Sequence, residues 1–148
     1  AKFSARMRGV VDRDKYSGMV NYKPSSEIGT RLAKQLTKLG TGIAIFESKK
    51  EIDDSVYLLM RRVALDTIPD RAEEIVRTLW VLNRKNENEK TTTTSLIVEK
   101  TRLPNTTVFR ILQDLVLLKI VNQYGGNRKE WRLSNNTIHL IQKGKIYD

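Results

Sequence analysis

The chain has 148 residues, 39% of them hydrophobic, and carries 27 Lys/Arg against 17 Asp/Glu, for a net charge of +10 and a pI near 9.9. The absence of cysteine excludes disulfides, thiolate metal sites and a cysteine nucleophile, and no apolar run approaches the roughly 18 residues of a membrane span. No signal-peptide pattern opens the chain, so a cytoplasmic location is expected, and the positive excess points to a polyanionic partner without identifying it.

Residues 1–23 alternate weakly through Phe3, Ala5, Met7, Val10 and Val11, turn at Asp12-Arg13-Asp14, and return through Tyr16–Val20. This pattern predicts two short strands, with an ordered loop or a frayed end as the alternatives. A chain opening on Ala1 in the middle of such a pattern is expected to be a piece of a longer polypeptide. Pro24-Ser25-Ser26-Glu27 supplies a hydroxyl cap and an acidic first turn. Ile28, Leu32, Leu36, Leu39 and Ile43 then predict about four helical turns, with Gly40 and Gly42 near the end. Ile52-Asp53-Asp54 starts another helix, with Val56, Leu59, Met60 and Val63 expected inward and Arg61-Arg62 in its last turn.

Asp66–Asp70 is the clearest boundary, dividing the chain into residues 1–67 and 68–148. Pro69 fits the first position of the next helix, with Thr67 or Ile68 as cap. Helix 70–85 should bury Ile75, Val76, Leu79, Trp80 and Leu82, and 83–90 should form a loop. Thr91–Thr93 predicts a short strand, and Thr94 or Ser95 the cap of a helix running to Arg102. After the turn at Leu103-Pro104, Asn105 caps a helix to Leu118 with Val108, Ile111, Leu112 and Leu115 on one face. A hairpin closes around Gly125-Gly126-Asn127-Arg128, placing Trp131 and Leu133 on one side and Glu130 and Arg132 on the other. Residues 135–146 predict a final helix.

Helix, turn, helix and basic hairpin in this order are how a winged helix-turn-helix is written, with one helix for the major groove and a wing beside it. Residues 101–148 hold 8 Lys/Arg against 3 Asp/Glu, so the positive excess of the second half sits on these elements. Thr106, Thr107, Arg110 and Gln113 offer hydroxyl, guanidinium and amide groups suited to phosphates or base edges. Asn105 and Thr94 stand at helix starts, Lys100 and Arg102 precede the turn, and Asn127, Arg128, Lys129 and Arg132 line the hairpin, all suited to the phosphate backbone. Polar residues opposite an apolar stripe also occur on any surface helix; the ordered combination favours double-stranded DNA. Tyr124, Phe109 and Trp80 are better explained by packing than by base stacking.

Catalytic and metal chemistry have little to rest on. His139 is the one histidine and is expected to be a partly buried structural residue. The pairs Asp53-Asp54 and Glu73-Glu74 lie at helix starts, where the dipole explains them. No phosphate-cradling GxxxxGK[ST] loop occurs, so these residues should bind no metal or cofactor and have no ATPase activity of their own.

The stretch Glu27–Asp66 carries a second pattern: Thr30-Arg31-Leu32 near one helix start, small and apolar residues, a loop, then the acidic start Glu51-Ile52-Asp53-Asp54. It resembles the helical lid of AAA+ ATPases, especially MCM-like helicases, in which an Arg near a lid-helix start reaches the nucleotide. The resemblance implies that role for Arg31; the residues alone also allow a solvated Arg beside Lys34 and Lys38. Paired with a C-terminal winged helix, the pattern is similar to helicase-type replication initiators of phages and integrated mobile elements. That resemblance implies origin recognition by residues 68–148, with ATP, Mg and a hexameric ring belonging to a AAA+ core outside this sequence. The expected fold is mainly α: a small lid-like helical segment, then a winged helix with a short β-hairpin wing. The fragment alone should be monomeric. The alternatives are a transcription regulator that dimerises through residues 1–66, a winged-helix protein-interaction module, and, ranked lowest, an RNA binder.

Overall fold

Side chains recurring at helical spacing build the core from helices, and a small sheet closes one side of it. The computed structural model describes residues 1–22, 24, 29–85 and 91–147, the side chains of 84 and 85 excepted. Among these, in chain order, are α1 (Lys2–Met7), α2 (Gly29–Phe46), α3 (Asp54–Asp66), α4 (Asp70–Lys85), β1 (Thr92–Thr93), α5 (Thr94–Thr101), α6 (Asn105–Leu117), β2 (Val121–Tyr124), β3 (Glu130–Leu133) and α7 (Asn135–Lys143). The molecule is thus mainly helical, with one three-stranded antiparallel sheet of order β1-β3-β2. None of the described helices is long and apolar enough to cross a membrane.

One buried cluster joins Ile75, Val76, Leu79 and Trp80 of α4 to Ile97 of α5, Val108, Leu112 and Leu115 of α6, Trp131 and Leu133 of β3, and Ile141 of α7. Phe3 and Met7 of α1 complete it. That explains the largest departure from expectation. The first residues, expected as a strand, form a helix in which Phe3 and Met7 share the side facing the core while Ser4 and Ala5 are buried around it, and that burial outweighs a weak local preference. Of the expected strand pair only a single bridge, Arg13 to Val20, forms.

The α2–α3 pair sits beside this cluster. The expected cap at Ser25–Glu27 and the first apolar position, Ile28, lie outside the described residues, as do 86–90 of the expected loop. α2 continues through Gly40 and Gly42 to Phe46, and its buried positions are Leu32, Gly40 and Ala44 rather than the full leucine stripe. Gly40 lets α3 approach: a Cβ there would collide with the Met60 sulfur. α3 begins where the acids indicate, with the Asp53 carboxylate accepting the Val56 N–H at 3.0 Å. Val56 and Ala64 are buried, but Leu59, expected inward, is 45% exposed, because it lies about 140° around the helix from Ala64. Arg61 and Arg62 lie before the last turn, since α3 runs on to Asp66.

Pro69 precedes the first position of α4 instead of occupying it; its carbonyl accepts the N–H groups of Ala72 and Glu73, each at 3.0 Å. Three residues, Arg102 to Pro104, join α5 to α6, with Arg102 in the left-handed region at φ 56°. Proline at 104 disfavours helical backbone at Leu103, so the turn is enforced by sequence. β3 pairs with both other strands, Trp131 facing Thr92 on one side and Gln123 on the other. Gly125 turns the hairpin at φ 77°, where a side chain would strike the Arg128 carbonyl. Ser134 caps α7, its hydroxyl accepting the Thr137 N–H at 3.3 Å.

Candidate nucleic-acid interface

An α-helix advances 100° per residue, so Thr106, Arg110, Gln113 and Leu117 fall along one line of α6 while Val108, Leu112 and Leu115 fall opposite. The burial follows that geometry. Val108, Leu112 and Leu115 are buried, Asn105, Thr106 and Arg110 are exposed, and Thr107 and Gln113 are half-buried. α6 therefore leans on the core with one side and presents a hydroxyl, a guanidinium and an amide to solvent with the other.

The hairpin flanks this line on the Phe109 side. Trp131, fully buried, meets the Phe109 ring edge-on at 6.0 Å between centroids, and the Lys129 ammonium lies over the other ring's face at 4.3 Å. Lys129 is thus half-buried and held by an aromatic ring, not free as a hairpin cation would be. Asn127 and Arg128 are exposed at the tip, and Arg132 is half-buried beside its cross-strand partner Asn122. β2 is an edge strand whose Asn122, Gln123 and Tyr124 all face solvent. Tyr124, expected to pack, is thus exposed, and Asn122 and Gln123 are surface donors and acceptors that the sequence reading does not single out, although a strand with one buried residue, Val121, carries that signal.

The opposite flank of α6, on the line of Thr107 and Asp114, meets the N-terminal loop. The Arg13 guanidinium donates twice to Asp114 Oδ1, from Nε at 2.9 Å and Nη2 at 2.5 Å. A cleft of about 460 Å³ opens nearby between Gly9, Val11, Arg71, Thr107 and Arg110. The ion pair spans 101 positions of sequence, and no local pattern announces it.

Other expected site residues are more scattered. Lys100 is exposed with its ammonium 3.3 Å from the neighbouring Glu99, and Arg102 is exposed at the α5–α6 turn. Thr94 is half-buried, and its hydroxyl accepts the indole N–H of Trp131 at 2.8 Å, so its oxygen is committed to holding the hairpin on α5. Arg31 lies in the first turn of α2, exposed together with Lys34 and Lys38, and is not brought to the α6 surface by any described contact. His139 is exposed on α7, not partly buried, because it falls on the face away from Thr137 and Ile141. Among the described residues no group of three His, Asp or Glu side chains is placed to hold a metal ion.

No known protein family, curated protein or solved structure matches this chain.

Proposed function

We propose that residues 68–148 form a winged helix that binds double-stranded DNA, with α6 entering the major groove and the β2–β3 hairpin lying against the adjacent backbone. The observation that carries this reading is the line of exposed Thr106 and Arg110 and half-buried Gln113, set beside a hairpin with an exposed cationic tip. Arg110 reads a guanine edge, Gln113 an adenine edge, and Thr106 and Asn105 fix the helix start on phosphates. Arg128, Arg132 and Arg102 supply sequence-independent attraction, and Lys129 joins them from its seat on Phe109. Thr94 acts by positioning the hairpin, without touching DNA.

The finer reading is recognition of a replication origin by the C-terminal part of a AAA+ initiator helicase. The paired α2 and α3, with Arg31 exposed in the first turn of α2, support it through the resemblance to a helical lid. Nucleotide and magnesium chemistry belong to the core of such a protein, for which Arg31 would be the reporter.

Fluorescence anisotropy of the full chain on a labelled duplex, titrated over a range of salt, tests the proposal. A site enriched from a random duplex pool should bind with steep salt dependence. Arg110→Ala should cost about 1–3 kcal/mol on that site and relax preference at one base pair, whereas Arg128→Ala should weaken enriched and random duplexes alike. Binding that is absent, or equally affected by both variants on every sequence, overturns the assignment of α6 as the reading helix.

A further inference from the structure

We propose that the loop Asp12–Asn21, in which Arg13 and Lys15 balance Asp12 and Asp14, is a second arm of the duplex-binding surface, presenting Lys15 to the backbone on the flank of α6 opposite the hairpin. This rests on the duplex-binding reading of α6. On the helical wheel, Phe109 and Asp114 lie on opposite sides of the Thr106–Arg110–Gln113 line. Phe109 carries the hairpin through Lys129 and Trp131, and Asp114 carries the loop through Arg13. The reading face is therefore bracketed by two projecting elements, of which only the hairpin is expected from sequence.

The loop is built to hold a shape. Arg13 and Val20 bridge, Asp14 N–H donates to the Met19 carbonyl at 2.7 Å, and Asn21 N–H to the Asp12 carbonyl at 3.0 Å. The Asp14 carboxylate accepts from Tyr16 N–H, Ser17 N–H and the Ser17 hydroxyl, while Gly18 turns the chain at φ 68°. Arg13 locks the tip from inside by also donating Nη1 to the Gly18 carbonyl at 3.1 Å. What this scaffold holds out is Lys15 and Tyr16, the latter 95% exposed. A cation and a phenol donor on a preformed turn suit a phosphate backbone. Arg13 has a further effect on the same surface. Asp114 is the one carboxylate of α6, and the paired guanidinium cancels a charge that would otherwise face the phosphates.

The test compares full-length wild type with Lys15→Ala/Tyr16→Ala by anisotropy on the enriched and a random duplex over a salt series. Both changes are at exposed positions, so circular dichroism and the thermal midpoint should be unchanged. Affinity is expected to fall about 3–10-fold on both duplexes, with the slope of log affinity against log salt reduced by about one. Arg13→Gln should weaken binding as well, and adding Asp114→Asn should recover part of that loss by removing the bared carboxylate. If the double variant keeps wild-type affinity and slope while Arg110→Ala loses binding, the arm is overturned and the reading helix stands. If wild type binds no duplex at all, the parent reading falls and the arm with it.

Discussion

The indole N–H of Trp131 donates to the Thr94 hydroxyl at 2.8 Å, tying the middle of the hairpin to the first residue of α5. Trp131 is also fully buried and in edge contact with Phe109 of α6. One side chain thus fixes the hairpin relative to both helices of the α5–α6 unit, so the spacing between hairpin tip and the exposed side of α6 is set by the core.

Thr94→Val keeps the shape of the side chain but leaves a buried indole N–H without its acceptor. A loss of about 1–3 kcal/mol in unfolding free energy is expected, with Thr94→Ser close to wild type. Urea denaturation followed by tryptophan fluorescence measures it, the m-value remaining constant. If Val and Ser behave alike, the bond contributes nothing and the hairpin is held by packing alone.

Much of this arrangement is legible in the sequence because it rests on periodicity. Ile75, Val76, Leu79 and Trp80 in α4, Val108, Leu112 and Leu115 in α6 and the Trp131/Leu133 alternation name their buried faces directly, while Leu82 and Ile111, also expected inward, are only half-buried. What is not legible depends on partners far along the chain. α1 has six residues, too few for a helical period to stand out, and becomes a helix because Phe3 and Met7 are buried in a cluster formed mainly by residues 68–141. The Arg13–Asp114 pair joins charges that look like ordinary surface residues when read singly. In α2 the apolar stripe misleads, since the small residues Gly40 and Ala44 are buried while Leu39 is partly exposed. Leu32, Gly40 and Ala44 share that buried face, where Gly40 lies close under the Met60 side chain.

That contact separates two neighbouring glycines. A Cβ at Gly42 meets nothing within 4 Å, so Gly42→Ala should stabilise by about 0.5–1 kcal/mol through helix propensity alone. Gly40→Val drives a branched side chain into Met60 and should destabilise by about 1–3 kcal/mol, part of which Gly40→Val/Met60→Ala restores. Parallel thermal melts report both. Equal effects at the two positions would contradict the packing of α2 on α3.

The cap of α3 makes a pH prediction. The Lys49 ammonium, 2.8 Å from the Asp53 carboxylate, together with the Val56 N–H and the Ser55 hydroxyl, holds the Asp53 carboxyl well below the usual carboxylate range. A carboxyl more acidic in the folded than in the unfolded chain stabilises above the unfolded value, near pH 4, and ceases to as pH falls further. Wild type should therefore melt above Asp53→Asn near neutral pH, with the gap closing on acidification. A gap unchanged by pH would assign the effect of Asp53 to shape, not charge.

Under the proposed function, Arg102 would serve stability and duplex binding at once. It ends α5 in the left-handed region at φ 56°, a conformation that glycine adopts without cost, while its guanidinium is exposed at the turn leading into the reading helix. Its charge interacts favourably with the C-terminal end of α5, but only by a few tenths of a kcal/mol at so exposed a site. Arg102→Gly should accordingly raise unfolding free energy by about 0.5–1 kcal/mol while weakening duplex binding on all sequences and lowering the salt slope by about one. Those two changes have opposite signs, which no general disruption of the fold produces. A less stable variant would contradict the strain at φ 56°, and one that binds duplex as wild type does would remove Arg102 from the proposed backbone-contacting set.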